Sequence, residues 1–130
     1  MESLQVRTGQ ISLQILDDYG EVRGVFKFNP QDIESAKRVF ALQNELPVMQ
    51  EEFERKIASA KTEEEKINIL SDIVDYFNRA IDECFGKGSS DILFGGARTL
   101  SMYEDFFTGV TPYYQKAGEN RVKKYKKRGK

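Results

Sequence analysis

The 130-residue sequence has no histidine, no tryptophan and a single cysteine, Cys84. Without imidazole there is no Ser-His-Asp or Cys-His hydrolase, and most zinc sites lose their usual ligands. One cysteine excludes an internal disulfide framework and haem attachment through paired cysteines. No run approaches the roughly 20 apolar residues of a membrane span, and the first residues lack the apolar stretch of a signal peptide. These absences predict a soluble protein of the cytoplasm.

What is present is a modest core inside a charged surface. Leu, Ile, Val and Phe account for 34 of the 130 residues, enough for one packed domain, while 32% of the residues are charged. The net charge of -1 conceals a polarity. Residues 121–130 hold seven cations and no acid, whereas residues 1–120 hold 13 cations against 21 acids. The expected organisation is a single domain over residues 1–120, with a β-hairpin in 1–29 and a helical bundle in 30–120. A basic C-terminal tail, 121–130, follows. Such a tail suits nucleic acid, a protein contact or plain solvation, and an acidic body disfavours the first because it repels the same phosphates.

Residues 1–30 read as β. Ile11, Leu13 and Ile15 alternate with Ser12 and Gln14, and Val22, Gly24, Phe26 and Phe28 alternate with Arg23, Val25 and Lys27. Asp17-Asp18-Tyr19-Gly20-Glu21 supplies the turn. Leu4–Arg7 is short but could add a third, edge strand and make a meander. Asn29-Pro30-Gln31-Asp32 then predicts a helix start, with Asn29 as cap and Pro30 at the first helical position. Pro47 is expected to end or kink that helix, and a thinly apolar, peripheral second helix carries on to about Lys61.

Thr62 and Glu65 form a capping box ahead of a helix apolar over more than half its girth, expected in the middle of the bundle and closed by Gly86 in a left-handed cap. Cys84 lies on its apolar stripe and reads as a buried hydrophobe. The glycine-punctuated run 85–96 leaves a helix rather than a strand and lacks Walker spacing. It is a linker with one helical turn expected at 91–94, plugged by Phe85, Leu93 and Phe94. A last helix starts near Thr99 or Ser101, with a break expected near Thr111 because of Gly109 and Pro112. The fold class is α+β, mainly α: an N-terminal hairpin followed by a bundle of about four helices.

Carboxylates are the only plentiful reactive groups, and Asp17, Asp18, Asp72, Asp75 and Asp82 interrupt apolar stripes rather than sit on them. Turn chemistry and solvated helix faces account for them, so the sequence predicts no catalytic residue, cofactor or metal site and no enzyme. The late aromatics are more informative. Tyr113, Tyr114 and Tyr125 lie beyond Gly109 and Pro112 among cations, the composition of an interface anchor. With Arg121 and Lys124 they are the expected partner contacts. On that reading, Tyr113 and Tyr114 are dispensable for stability.

Three stretches carry a resemblance. They are Phe26-Lys27-Phe28-Asn29-Pro30-Gln31-Asp32, the run from Ile81 through Phe85-Gly86-Lys87-Gly88-Ser89-Ser90-Asp91 to Gly95, and Tyr103-Glu104-Asp105-Phe106-Phe107 through Thr111-Pro112-Tyr113 to Tyr125. Over most of residues 22–128 the chain resembles the tail assembly chaperones of long-tailed bacteriophages and prophages. The resemblance implies a non-enzymatic chaperone in the bacterial host cytoplasm. It would keep the helical tape-measure protein soluble and help recruit tail-tube protein, with self-association open. The alternative from the residues alone is a small nucleic-acid-binding regulator using the basic tail.

Overall fold

The computed structural model describes the backbone of residues 1–128 and the side chains of residues 1–124. Strands β1 (Ile11–Leu16) and β2 (Val22–Phe28) pair antiparallel, with Ile11 opposite Phe28 and Leu13 opposite Phe26. Asp17 builds the connecting turn. Its carboxylate accepts from the Tyr19 and Glu21 amides at 2.9 Å each, and Gly20 takes φ 81°. A register irregularity at Ile15/Leu16 sets Leu16 opposite Val22. Both are therefore exposed at the hairpin tip, and the alternation expected to bury Val22 fails there.

The third strand does not form within the chain: residues 1–10 carry no regular structure. Asn29 Nδ2 donates to the Thr8 carbonyl at 2.9 Å, and Gly9, at φ 94°, sits so close to Gln31 that a Cβ there would lie 2.6 Å from it. This clasp fixes the chain against the approach to the first helix.

Helix α1 (Ile33–Ser59) begins three residues later than the sequence suggests. Asp32 is the cap, its side chain accepting from the Ser35 amide at 2.8 Å. Asn29 instead folds the approach, accepting from the Gln31 and Asp32 amides. Pro47 neither ends α1 nor divides it in two. It removes one hydrogen bond, to the Gln43 carbonyl, but Leu42 and Phe53 on either side are buried and α1 packs along the next helix. Tertiary packing outweighs the local loss.

Helix α2 (Glu63–Phe85) starts at the expected cap: Thr62 Oγ1 accepts from the Glu65 amide at 3.1 Å. Glu65 reaches back one residue further than a simple capping box, accepting from the Lys61 amide. Gly86 closes α2 with φ 115° and ψ 150°, a region that demands glycine yet is not the left-handed helix. Only the second half of α2 lies in the core, through Ile73, Val74, Ile81 and Cys84, while Ile67 is exposed. The helix expected in the middle is central at one end only. The short α3 (Ser89–Phe94) is held by Asp82, whose carboxylate accepts from the Ser90 amide at 2.8 Å, and it buries Leu93 and Phe94.

Helix α4 (Ser101–Arg128) passes through Gly109 and Pro112 without a break and takes in most of the stretch expected to be a tail. Tyr103, Phe106, Val110, Tyr114 and Ala117 form one buried face along it. This face explains the continuity, because a break at Thr111 would strip half of it from the core. The centre of the molecule is a set of rings from different elements. Phe26 of β2 meets Phe28, Phe85 and Phe106 at centroid distances of 5.3, 5.4 and 5.7 Å, and Phe94 meets Tyr103 at 5.1 Å.

Candidate partner-binding groove

The expected contact residues do not form one surface. Tyr114 belongs to the core: it is 1% exposed, stacks on Phe28, and shares a 2.8 Å hydrogen bond with the buried Ser35 hydroxyl. Its assignment as a partner contact is corrected, because β2 and the start of α1 close over it. Tyr113 sits at the rim, 36% exposed, its ring edge-on to Phe28 at 5.5 Å. Arg121 is engaged internally, donating to the Pro30 carbonyl at 3.0 Å and clasping the end of α4 to the loop before α1. Lys124 is exposed, and the Tyr125 side chain lies outside the described residues. Most of the late aromatic and apolar side chains likewise serve the core, since α4 buries a full face.

The apolar surface left uncovered lies elsewhere. The second half of α1 and the first half of α2 run side by side, and the first turns of α4 lie across them. Between the three helices is an open groove of about 460 Å³. Its lining is mainly apolar, led by Phe53 and Ile57 from α1, Leu70 and Phe77 from α2, and Leu100 and Phe107 from α4. Gln50, Glu54 and Glu104 stand among them as the polar members. Leu100 is 44% exposed, and Ile57, Leu70 and Phe107 are half-buried.

Sequence reading missed this groove because its residues come from three helices, each with an unremarkable stripe. The one available signal was the thinness of the α1 stripe after Pro47, which leaves that half without enough apolar surface to close the gap.

The groove has rigid walls. Phe77 stacks on Tyr103 at 4.7 Å, and the Tyr103 hydroxyl, with the Val74 carbonyl at 3.2 Å and Asn78 Oδ1 at 2.7 Å, bonds α4 to α2. Burial pushes the Tyr103 phenol up to about 12. Arg98 holds the α3–α4 connection to α2 through the Ser71 carbonyl, the Ser71 hydroxyl and Asp75. Behind Phe53, Tyr76 packs edge-on at 6.0 Å with its hydroxyl shielded and without a hydrogen bond among the described residues. Burial first, then the Glu45 carboxylate, near enough to act as an acceptor yet short of hydrogen-bond geometry, raise its ionisation. Tyr76→Phe deletes that unpaired hydroxyl and should therefore stabilise the protein by about 1 kcal/mol in urea unfolding. A loss of stability instead would show that the hydroxyl has a partner.

The carboxylates have structural work. Asp17 folds the hairpin turn, Asp82 caps α3, and Asp75 pairs with Arg98 at 3.0 Å. Among the described residues no group of three or more potential metal ligands comes together, and no helix is long and apolar enough to cross a membrane. The Cys84 thiol is buried and directed to the Arg38 carbonyl at 3.6 Å, and burial pushes its ionisation up. This is the environment of an inert thiol. The arrangement as a whole can bind an apolar surface.

Residues 24–130 match a family model described as a family of unknown function (DUF6673). The match begins inside β2 and takes in all four helices. No curated protein and no solved structure matches the chain.

Proposed function

We propose that this chain, which belongs to the DUF6673 family, is a non-enzymatic assembly chaperone that shields an apolar helical stripe of a partner protein. The observation that carries the reading is the open groove between α1, α2 and α4, apolar inside and edged by Glu54 and Glu104. Grooves of this kind accept the apolar face of an amphipathic helix, read as anchors at i, i+3, i+4 and i+7. The acidic edge favours a partner helix whose stripe is flanked by lysine or arginine. The resemblance to phage tail assembly chaperones names the partner class: the long helical tape-measure protein, with tail-tube subunits recruited around it in the bacterial cytoplasm. The docking position moves from the tyrosines of the last third to the groove, because Tyr114 and Arg121 are occupied within the fold.

The test is co-expression with the long helical reading frame of the same gene cluster, scoring the soluble partner. Ile57→Glu combined with Leu100→Glu places two charges on partly exposed groove positions. The pair should cut retained partner about tenfold or more, equivalent to about 1.4 kcal/mol or more of lost binding, with the melting temperature little changed. Undiminished partner solubility in this variant would refute the groove as the docking site. The competing reading is nucleic-acid binding by the basic end of α4, where Lys123 and Lys124 are exposed. It predicts salt-sensitive retention on nucleic acid that disappears when residues 121–130 are removed.

A further inference from the structure

A second unfilled apolar feature lies on the opposite side of the hairpin from its turn chemistry. Among the described residues strand β1 pairs only with β2, so its other edge has no ladder partner there. Natural edge strands are usually guarded by charge or proline. β2 carries Arg23 and Lys27 and has α3 against it, but Ile11-Ser12-Leu13-Gln14-Ile15-Leu16 has no charge and no proline. Ile11, Leu13 and Ile15 on its inner face are only half-buried. Beside them a cleft of about 380 Å³ lies between the hairpin and α4, with Leu13, Ile15, Met102, Phe106 and Val110 in its apolar lining and Asp18, Arg23 and Asp105 as its charged members.

The chain also carries a segment shaped for that edge. Ser3-Leu4-Gln5-Val6 repeats the pattern of Ser12-Leu13-Gln14-Ile15 residue for residue, differing only by Val for Ile at the last position. Leu4 and Val6 therefore fall on one face at the strand period, as Leu13 and Ile15 do. Within a single chain this pattern has no partner: Leu4 is 88% exposed and Val6 71% exposed. The Asn29–Thr8 hydrogen bond and the close fit of Gly9 on Gln31 hold the chain just after the segment against the start of α1, and the segment forms no strand with its own β1.

We propose that residues 3–6 of one copy add to the free edge of β1 in a second copy as a third strand. Leu4 and Val6 then enter the cleft between β1 and α4. The added strand satisfies the open edge by main-chain pairing, and the alternate side chains supply the specificity. The contact is separate from the helical groove, so association between copies leaves that groove free.

The test uses the full chain and measures its mass in solution by light scattering. Association is expected at two or more times 15.0 kDa. The Leu4→Lys/Val6→Lys double variant should run at the single-chain mass with unchanged circular dichroism and melting temperature, since both side chains are exposed in the isolated chain. Amide exchange separates strand addition from a merely sticky arm. Residues 3–6 should exchange about 100-fold more slowly in the assembly than in the double variant. A single-chain mass for the unmodified protein overturns the proposal, as does assembly that survives the double variant or leaves residues 3–6 unprotected.

Discussion

Tyr114→Ala is expected to destabilise the protein by about 4 kcal/mol, the range for removing a fully buried aromatic ring from a core. Tyr114 lies among the largest fully buried side chains, and its ring contacts Phe28 and Phe85 at centroid distances of 6.1 and 6.5 Å. Those rings belong to β2 and α2, so the cavity would open where three elements meet and none can collapse into it alone. The hydroxyl adds a second cost, because the Ser35 side chain, itself buried, loses its 2.8 Å partner. Tyr114→Phe isolates that part and should cost about 1–2 kcal/mol. Tyr113→Ala, at the rim, should cost less than about 1 kcal/mol by the same urea-denaturation midpoint. If Tyr114→Ala unfolds at the wild-type midpoint, the ring is not buried in solution and an interface role for it returns.

Alkaline pH is the second strong lever. Tyr76, Tyr103 and Tyr114 all have raised ionisation in the folded state, with burial as the leading cause in each. At Tyr114 the Ser35 hydrogen bond opposes the rise without cancelling it. An unfolded tyrosine loses its proton near pH 10, whereas folded Tyr103 keeps its proton to about 12. Above pH 10 the unfolded state therefore binds fewer protons than the native state, and stability must fall as pH rises. Below pH 10 both states are protonated and these groups contribute no slope. Tyr103 removes about 1.4 kcal/mol per pH unit within that window, and Tyr76 and Tyr114 add to the loss in the same direction.

Circular dichroism followed from pH 9 to 12, with phenolate absorbance recorded alongside, checks this. Unfolding and tyrosine ionisation should coincide, and Tyr103→Phe should flatten the slope. A stability that stays level from pH 10 to 11 would contradict the burial of these three phenols.

Local chemistry was legible wherever neighbours in sequence are also the physical partners. The period-two runs and the Asp17–Glu21 turn specify the hairpin because strand alternation and side-chain-to-backbone turn bonds act over a few residues. Thr62 and Glu65 announce α2 for the same reason. The absence of histidine by itself excludes an imidazole base.

Tertiary structure decided the rest. Whether Pro47 and Pro112 break their helices depends on the apolar faces packed on either side, which exceed the one hydrogen bond each proline removes. Whether Tyr114 faces a partner or the core depends on β2 and α1, some 80 residues away in sequence, closing over it. The groove exists because three helices meet at one end without enough apolar side chains to fill the space. A stripe shows that a helix has an apolar face. The other elements determine how much of that face is covered.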